Sequence, residues 1–303
     1  MSLAERLGYS ADDRVLILNA DDVGSTHASN AATFECLERG SLTSGSILVP
    51  AGWFPEVAAY ARDHPKADLG IHLTLTCEYN EYRWRPLTER SAGPGLYDEE
   101  GYLWRTSAQA IAHISAEEAE LELRAQIDNA LAAGVDVTHL DTHMGTVLQP
   151  KFIDAYFSLG LEYKIPIFAF RPNPERLRKA GLEDYWAVLE PQLQRLDDAG
   201  FPVLDHIFET KLEVTPEKRS GYFTGIFETL RPGVTHFLVH PTLASEEVAA
   251  MTASAPSRAM DYELFKDRSI AEELARLGIH TITYREIREA YREGRLGIDA
   301  SSS

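Results

Sequence analysis

The chain has 303 residues, 44% hydrophobic and 25% charged, which is enough for one well-cored domain and ordinary for a water-soluble globular protein. A formal charge of −18 excludes nucleic acid and anionic membranes as natural partners, and no apolar run approaches the ~20 residues of a membrane helix. Two cysteines, Cys36 and Cys77, are too few for a disulfide framework or a thiolate metal site, and the polar N-terminus does not read as a signal peptide, so a cytoplasmic protein is expected.

In chain order, a branched apolar run predicts a first strand over 15–18, followed by a helical pattern that ends near Gly40. Strands are expected next over 44–49 and 69–73. The stretch 77–106 then reads as an insertion, and it holds Tyr79, Tyr82, Trp84, Tyr97, Tyr102 and Trp104. Ser115 with Glu118 forms a capping box for a helix that presents Leu123, Ile127 and Leu131 on one face and stops at Gly134. Strands follow over 135–140, 165–170, 203–207, 235–239 and 279–283, with Gly160, Gly200 and Gly278 as helix terminators between them. Thr215-Pro216 opens another helix, and the Ala/Ser/Pro-rich stretch 251–260 reads as a second inserted loop. About eight strand-then-helix units imply parallel strands with helices outside, and a single-domain (β/α) barrel over 1–303 fits them. The rival, an open doubly wound sheet, lacks a Gly-x-Gly-x-x-Gly after the first strand.

The polar residues of interest each follow an apolar run. Asp21-Asp22, His72, Asp141-Thr142-His143, Arg171 and His240 all sit where a strand should end. In a barrel those ends converge on one face, where active sites lie. Two histidines and a carboxylate are a usual set for zinc and serve several other divalent ions. A bound ion lowers the pKa of its water toward ~7, an adjacent carboxylate can take the proton, and a histidine can protonate the leaving group. Taken singly the residues say less. Asp21-Asp22 also suits a helix cap, and His72 a satisfied core histidine. His139, Asp141 and His143 alternate as on one strand face, so Asp141 either binds metal or orients a ligand, and His139 reads as a supporting or core residue.

Together, Leu18-Asn19-Ala20-Asp21-Asp22-Val23-Gly24, Gly70-Ile71-His72-Leu73-Thr74-Leu75-Thr76 and Thr138-His139-Leu140-Asp141-Thr142-His143 resemble the YdjC-like carbohydrate deacetylases. Val239-His240-Pro241 matches a later motif, and Arg258, Asp261–Leu264 and Thr283-Tyr284-Arg285 resemble the C-terminal pattern, so the likeness spans nearly the whole chain. The resemblance implies a distorted (β/α) barrel of the polysaccharide-deacetylase type. It implies one divalent ion, Zn or Mg first and Co, Ni or Mn as alternatives, held by Asp22, His72 and His143. It further implies Asp21 as base, His240 as the acid that protonates the amine, and Arg171 as an orienting residue. The substrate would be an N-acetylated amino sugar or short oligosaccharide, attacked at the amide carbonyl by metal-activated water; a homo-oligomer is compatible. Many members carry further histidines after the Asp-x-His step, where this chain continues Met144-Gly145-Thr146-Val147, which bears on substrate rather than metal.

Three rivals remain at this level. His139-Leu140-Asp141 is literally the His-x-Asp of non-haem iron triads, although those usually sit in all-β barrels. A metal phosphoesterase needs the same ligands but more basic residues. A sugar-binding homologue without catalysis would keep the barrel and lose catalytic parts. The insertion 77–106 begins just beyond His72, so it is expected to cover the site with sugar-stacking rings, the alternative being that its aromatics form a small core of their own.

Overall fold

The first strand sets the frame. Residues Arg14–Val23 form β1, and everything in it after Arg14 is buried, as a central strand requires. In the computed structural model, which describes residues 1–179 and 181–296, β1 pairs in parallel with β2 (Ser44–Ile47) on one edge. On the other edge it pairs with Gly233–Val239. The remaining strands are β3 (Leu69–Leu73), β4 (Val137–Thr142), β5 (His206–Glu209), β6 (the Gly233–Val239 strand) and β7 (Ile279–Thr281). The order is β4-β3-β2-β1-β6-β5, every pairing is parallel, and β7 adds to the first residues of β1. Between β4 and β5 the wall is completed by segment 165–170 through single bridges, Leu140↔Ile167 and Phe170↔Leu204. The result is a distorted barrel with helices outside, and among the described residues no helix is long and apolar enough to cross a membrane.

Several expectations shift, each for a physical reason. The predicted strand at 165–170 is too irregular to be one, because Pro166 cannot donate to a ladder and its neighbours make only isolated bridges. Gly160 does not end a helix. It lies inside Ile153–Tyr163, and a Cβ there would come within 2.3 Å of Ile167, so the glycine lets the helix approach the irregular segment. The stretch 251–260 is no free loop either, since Ala255–Phe265 is a helix with proline in its first turn. The capping box at Ser115 forms as expected, opening Ala116–Ala132.

Candidate functional site

Asp21 and Asp22 close β1, and neighbouring residues on a regular strand point to opposite faces. Here Asp22 adopts φ 63°, and the β1–β2 register shifts between Ala20 and Val23. That local kink turns both carboxylates toward the same place. A left-handed non-glycine residue is strained, and such strain is held where the surroundings over-determine it. Neither aspartate caps the next helix, because Thr26 does so through a capping box with Ser29.

Strand register supplies the next contact. His72 on β3 lies directly beside Asp141 on β4, and its Nδ1–H donates to Asp141 Oδ1 at 2.7 Å. An ionised carboxylate only accepts, so the His72 Nε2 lone pair is turned the other way, 3.6 Å from Asp22 Oδ1 and 3.8 Å from Asp21 Oδ2. His143, the first residue after β4, is held at the opposite nitrogen. Its Nε2 donates to Glu78 Oε2 at 2.8 Å, which leaves Nδ1 3.3 Å from Asp22 Oδ1. Arg258 donates to the other Asp22 oxygen, Oδ2, at 2.6 Å. Asp22 Oδ1 is buried and, among the described residues, has no hydrogen-bond partner within bonding geometry. Ligand atoms of Asp22, His72 and His143 all lie within 4.8 Å of one another. A buried carboxylate oxygen that faces two imidazole nitrogens is compatible with a bound divalent cation.

Behind these groups runs a buried polar chain. Asn19 Nδ2 donates to Asp21 Oδ1 and to Ser46 Oγ, both at 2.7 Å, and Ser46 donates to Asp141 Oδ2 at 2.5 Å. With its one proton spent, Ser46 must accept from His139 Nε2 at 3.0 Å. Gly70 makes room for that ring, since a Cβ there would meet it at 2.3 Å. His139 is thus a supporting residue that faces Ser46, and with Asp141 committed to His72 the His-x-Asp pair does not form a shared metal face.

Burial and the neighbouring carboxylates push Asp21 up to about 8, although His72 pulls the other way. Burial would raise Asp22 as well, but the Arg258 guanidinium and His143 hold it well below the usual carboxylate range. Burial opposes protonation of His143, yet Glu78 and Asp22 push it up to about 10. His240 is half-buried at the cleft, and burial together with Arg258 pushes it down to about 3. Its backbone N–H is fixed by Asp261 Oδ2 at 3.1 Å, and Asp261 is itself paired with the fully buried Arg219.

All of this opens into a cleft of ≈ 970 Å³ lined by Asp21, Asp22, His72, His143, His240 and Arg258 on the polar side, and by Phe168, Phe170, Tyr185 and Leu212 among others on the far side. Arg171 is not brought there. Its side chain is 49% exposed, pairs with Asp197 and lines a separate cavity near the N-terminus. The irregular backbone around residue 171 and the competing carboxylate explain why a strand-end position fails to deliver it. The aromatics of 77–106 do not line the cleft either. Tyr79 and Trp84 are 6% and 3% exposed, Tyr82 and Tyr79 both pack on Trp84, and Trp104 stacks on His113 at 3.9 Å. Tyr79 and Trp84 belong to the main hydrophobic core, and Tyr82, Tyr97 and Trp104 pack against it. Residue spacing missed Glu78 and Arg258 as contributors, and partners separated by 65 and 236 residues leave no local signal. Asn19, two positions before Asp21 on one strand face, did carry one.

The sequence model of the YdjC-like protein family matches residues 15–276. A carbohydrate deacetylase of Thermus thermophilus is 36% identical over 96% of this chain and 99% of its own length. The chain belongs to the YdjC-like carbohydrate deacetylase family. A carbohydrate deacetylase of Brevibacillus brevis is 27% identical over 90% of the chain and 99% of its own length. The fold has a solved counterpart in an Enterococcus faecalis V583 protein named for cellobiose-phosphate cleavage, with TM-score 0.73, 24% identity, and coverage of 91% of this chain and 99% of that one. Within the family's matched region lie Asp21, Asp22, His72, His143, His240 and Arg258 alike.

Proposed function

We propose that the protein is a divalent-metal-dependent deacetylase that hydrolyses the N-acetyl group of an amino sugar or short oligosaccharide. The observation that carries this reading is the orphaned Asp22 Oδ1 facing His72 Nε2 and His143 Nδ1 at the floor of the cleft, with the second carboxylate of Asp21 beside it. Asp22, His72 and His143 would hold the ion, and two imidazole nitrogens suit Zn²⁺ better than Mg²⁺, which prefers oxygen. When bound, the ion supplies Lewis acidity toward the acyl oxygen and acidifies water. Asp21 takes the water's proton. Its raised pKa suits a base near neutrality, and Asn19 fixes the oxygen that does not face the cation site. The proton that Asp21 takes from the water is the one the departing amine needs, and His240, at the cleft, would relay it from Asp21 to the amine and end neutral again. Phe168, Phe170 and Tyr185 offer flat apolar area for a sugar ring.

The phosphoesterase alternative is disfavoured by charge. Asp21, Asp22, Glu78, Glu209 and Glu213 line the cleft against Lys211 and Arg258, and Arg258 is already committed to Asp22. The test is a panel of N-acetylated mono- and oligosaccharides incubated with chelated and Zn²⁺-reconstituted protein, scored for acetate and free amine. Acetate release that needs the ion supports the reading. Release by protein shown to be metal-free, or release of phosphate alone from phosphorylated sugars, ends it.

A further inference from the structure

Each imidazole at the proposed metal centre is held at its far nitrogen by a carboxylate, but the two carboxylates have different origins. Asp141 comes from the strand next to His72. Glu78 comes from the 77–106 excursion, and its backbone is clamped on both sides. Thr76 bridges Trp104, Cys77 N–H donates to Trp104 O at 2.8 Å, Trp84 Nε1 donates to Thr76 O at 3.0 Å, and Arg105 donates to Tyr79 O at 2.6 Å. Trp84 then packs edge-on against the His143 ring, with centroids 5.9 Å apart. A free loop would spend conformational entropy to hold one glutamate in place, whereas here the buried aromatics have already fixed it.

We propose that Glu78 is a positioning residue for the metal centre, and that the aromatic-rich 77–106 segment serves to present it to His143 Nε2 so that Nδ1 is the nitrogen offered to the ion. This rests on the metal-centre reading above. The carboxylate fixes the ring's tautomer and rotation and raises the basicity of the ligating nitrogen, an effect typically worth about 10–100-fold in metal affinity. Trp84 removes the alternative ring rotation by packing.

The experiment is a Zn²⁺ titration of metal-stripped full-length protein in competition with a chromophoric chelator, beside thermal melts of the stripped forms. Glu78→Ala is expected to weaken Zn²⁺ affinity by about 10–100-fold while the stripped protein melts as wild type. Glu78→Gln is expected to fall between, because its amide oxygen still accepts from Nε2–H without the charge. Should Glu78→Ala fail to fold, Glu78→Gln decides alone: weakened affinity supports the proposal and wild-type affinity overturns it. Unchanged affinity in a folded Glu78→Ala protein overturns it, as does a loss as complete as that of His143→Ala, which would make Glu78 a ligand. A drop in stripped-state melting that Gln does not rescue marks a merely structural role and also overturns it. If wild-type protein binds no Zn²⁺, the metal reading itself fails, which separates the two failures.

Discussion

The two walls of the cleft are built by different means. One is the ladder-paired edge where β1, β3 and β4 end: register sets His72 opposite Asp141 and Asn19 two from Asp21 on one face, and the kink at Asp22 adds the second carboxylate. The other runs through segment 165–170, where backbone pairing thins to single bridges, the helical Tyr185, and residues 207–213, which leave the β5 ladder after Glu209; its lining mixes Phe168, Phe170, Tyr185 and Leu212 with Glu209, Lys211 and Glu213. Ladder hydrogen bonds fix a polar constellation closely, and reaction geometry tolerates little misplacement. An irregular wall can vary in shape without disturbing it. The regular wall should therefore carry the chemistry and the irregular wall the choice of substrate.

The largest effect that tests this division is at the ligands. His72→Ala and His143→Ala should each lose the ion and with it all turnover, measured by metal content and acetate release. Retention of stoichiometric metal in either variant would break the assignment of the regular wall.

Next in size is Asp21→Asn, which should keep the ion and lower kcat by about 10²–10⁴-fold. The base must be ionised, and Asp21 is pushed up to about 8, so turnover should climb as pH rises toward that value; a cation bound beside it favours the carboxylate and moves the limb to lower pH. The rising limb should vanish in Asp21→Asn, as read from a pH–rate profile. If Asp22→Asn instead keeps the metal while Asp21→Asn loses it, the two roles are exchanged.

Smaller again is Asp141→Asn. Its amide oxygen can still accept from His72 Nδ1–H, but the charge is gone and the Ser46 contact must rearrange. Metal affinity should fall by about 10–100-fold, checked by the same competition titration. An unaltered affinity would mean that register alone, without the carboxylate, positions His72.

The smallest effects belong to the other wall. Tyr185→Ala should raise KM several-fold and spare kcat, since the ring offers apolar area to a bound sugar and no reacting group. Arg171→Ala, outside the cleft, should change neither parameter. A kcat loss in either variant would show that the irregular wall takes part in the chemistry.

The sequence by itself determined the alternation of strands and helices, the family, and the positions of Asp21, Asp22, His72, His143 and His240, because each is written locally as an apolar run followed by a polar residue. It also contained the capping box at Ser115, which is a four-residue device. Tertiary structure decided the rest. Which nitrogen each histidine offers depends on Asp141 across a strand pair and on Glu78 in a distant loop. That two adjacent aspartates face one point depends on the left-handed turn at Asp22. Arg258 reaches Asp22 from 236 residues away, while Arg171, at an apparently equivalent strand end, turns out to Asp197. The aromatic excursion advertised a sugar platform by composition and joined the main hydrophobic core instead, because apolar rings that can be buried leave water. Periodicity reports which way a residue leaves its own element; what it meets there is set by chain segments that periodicity does not connect.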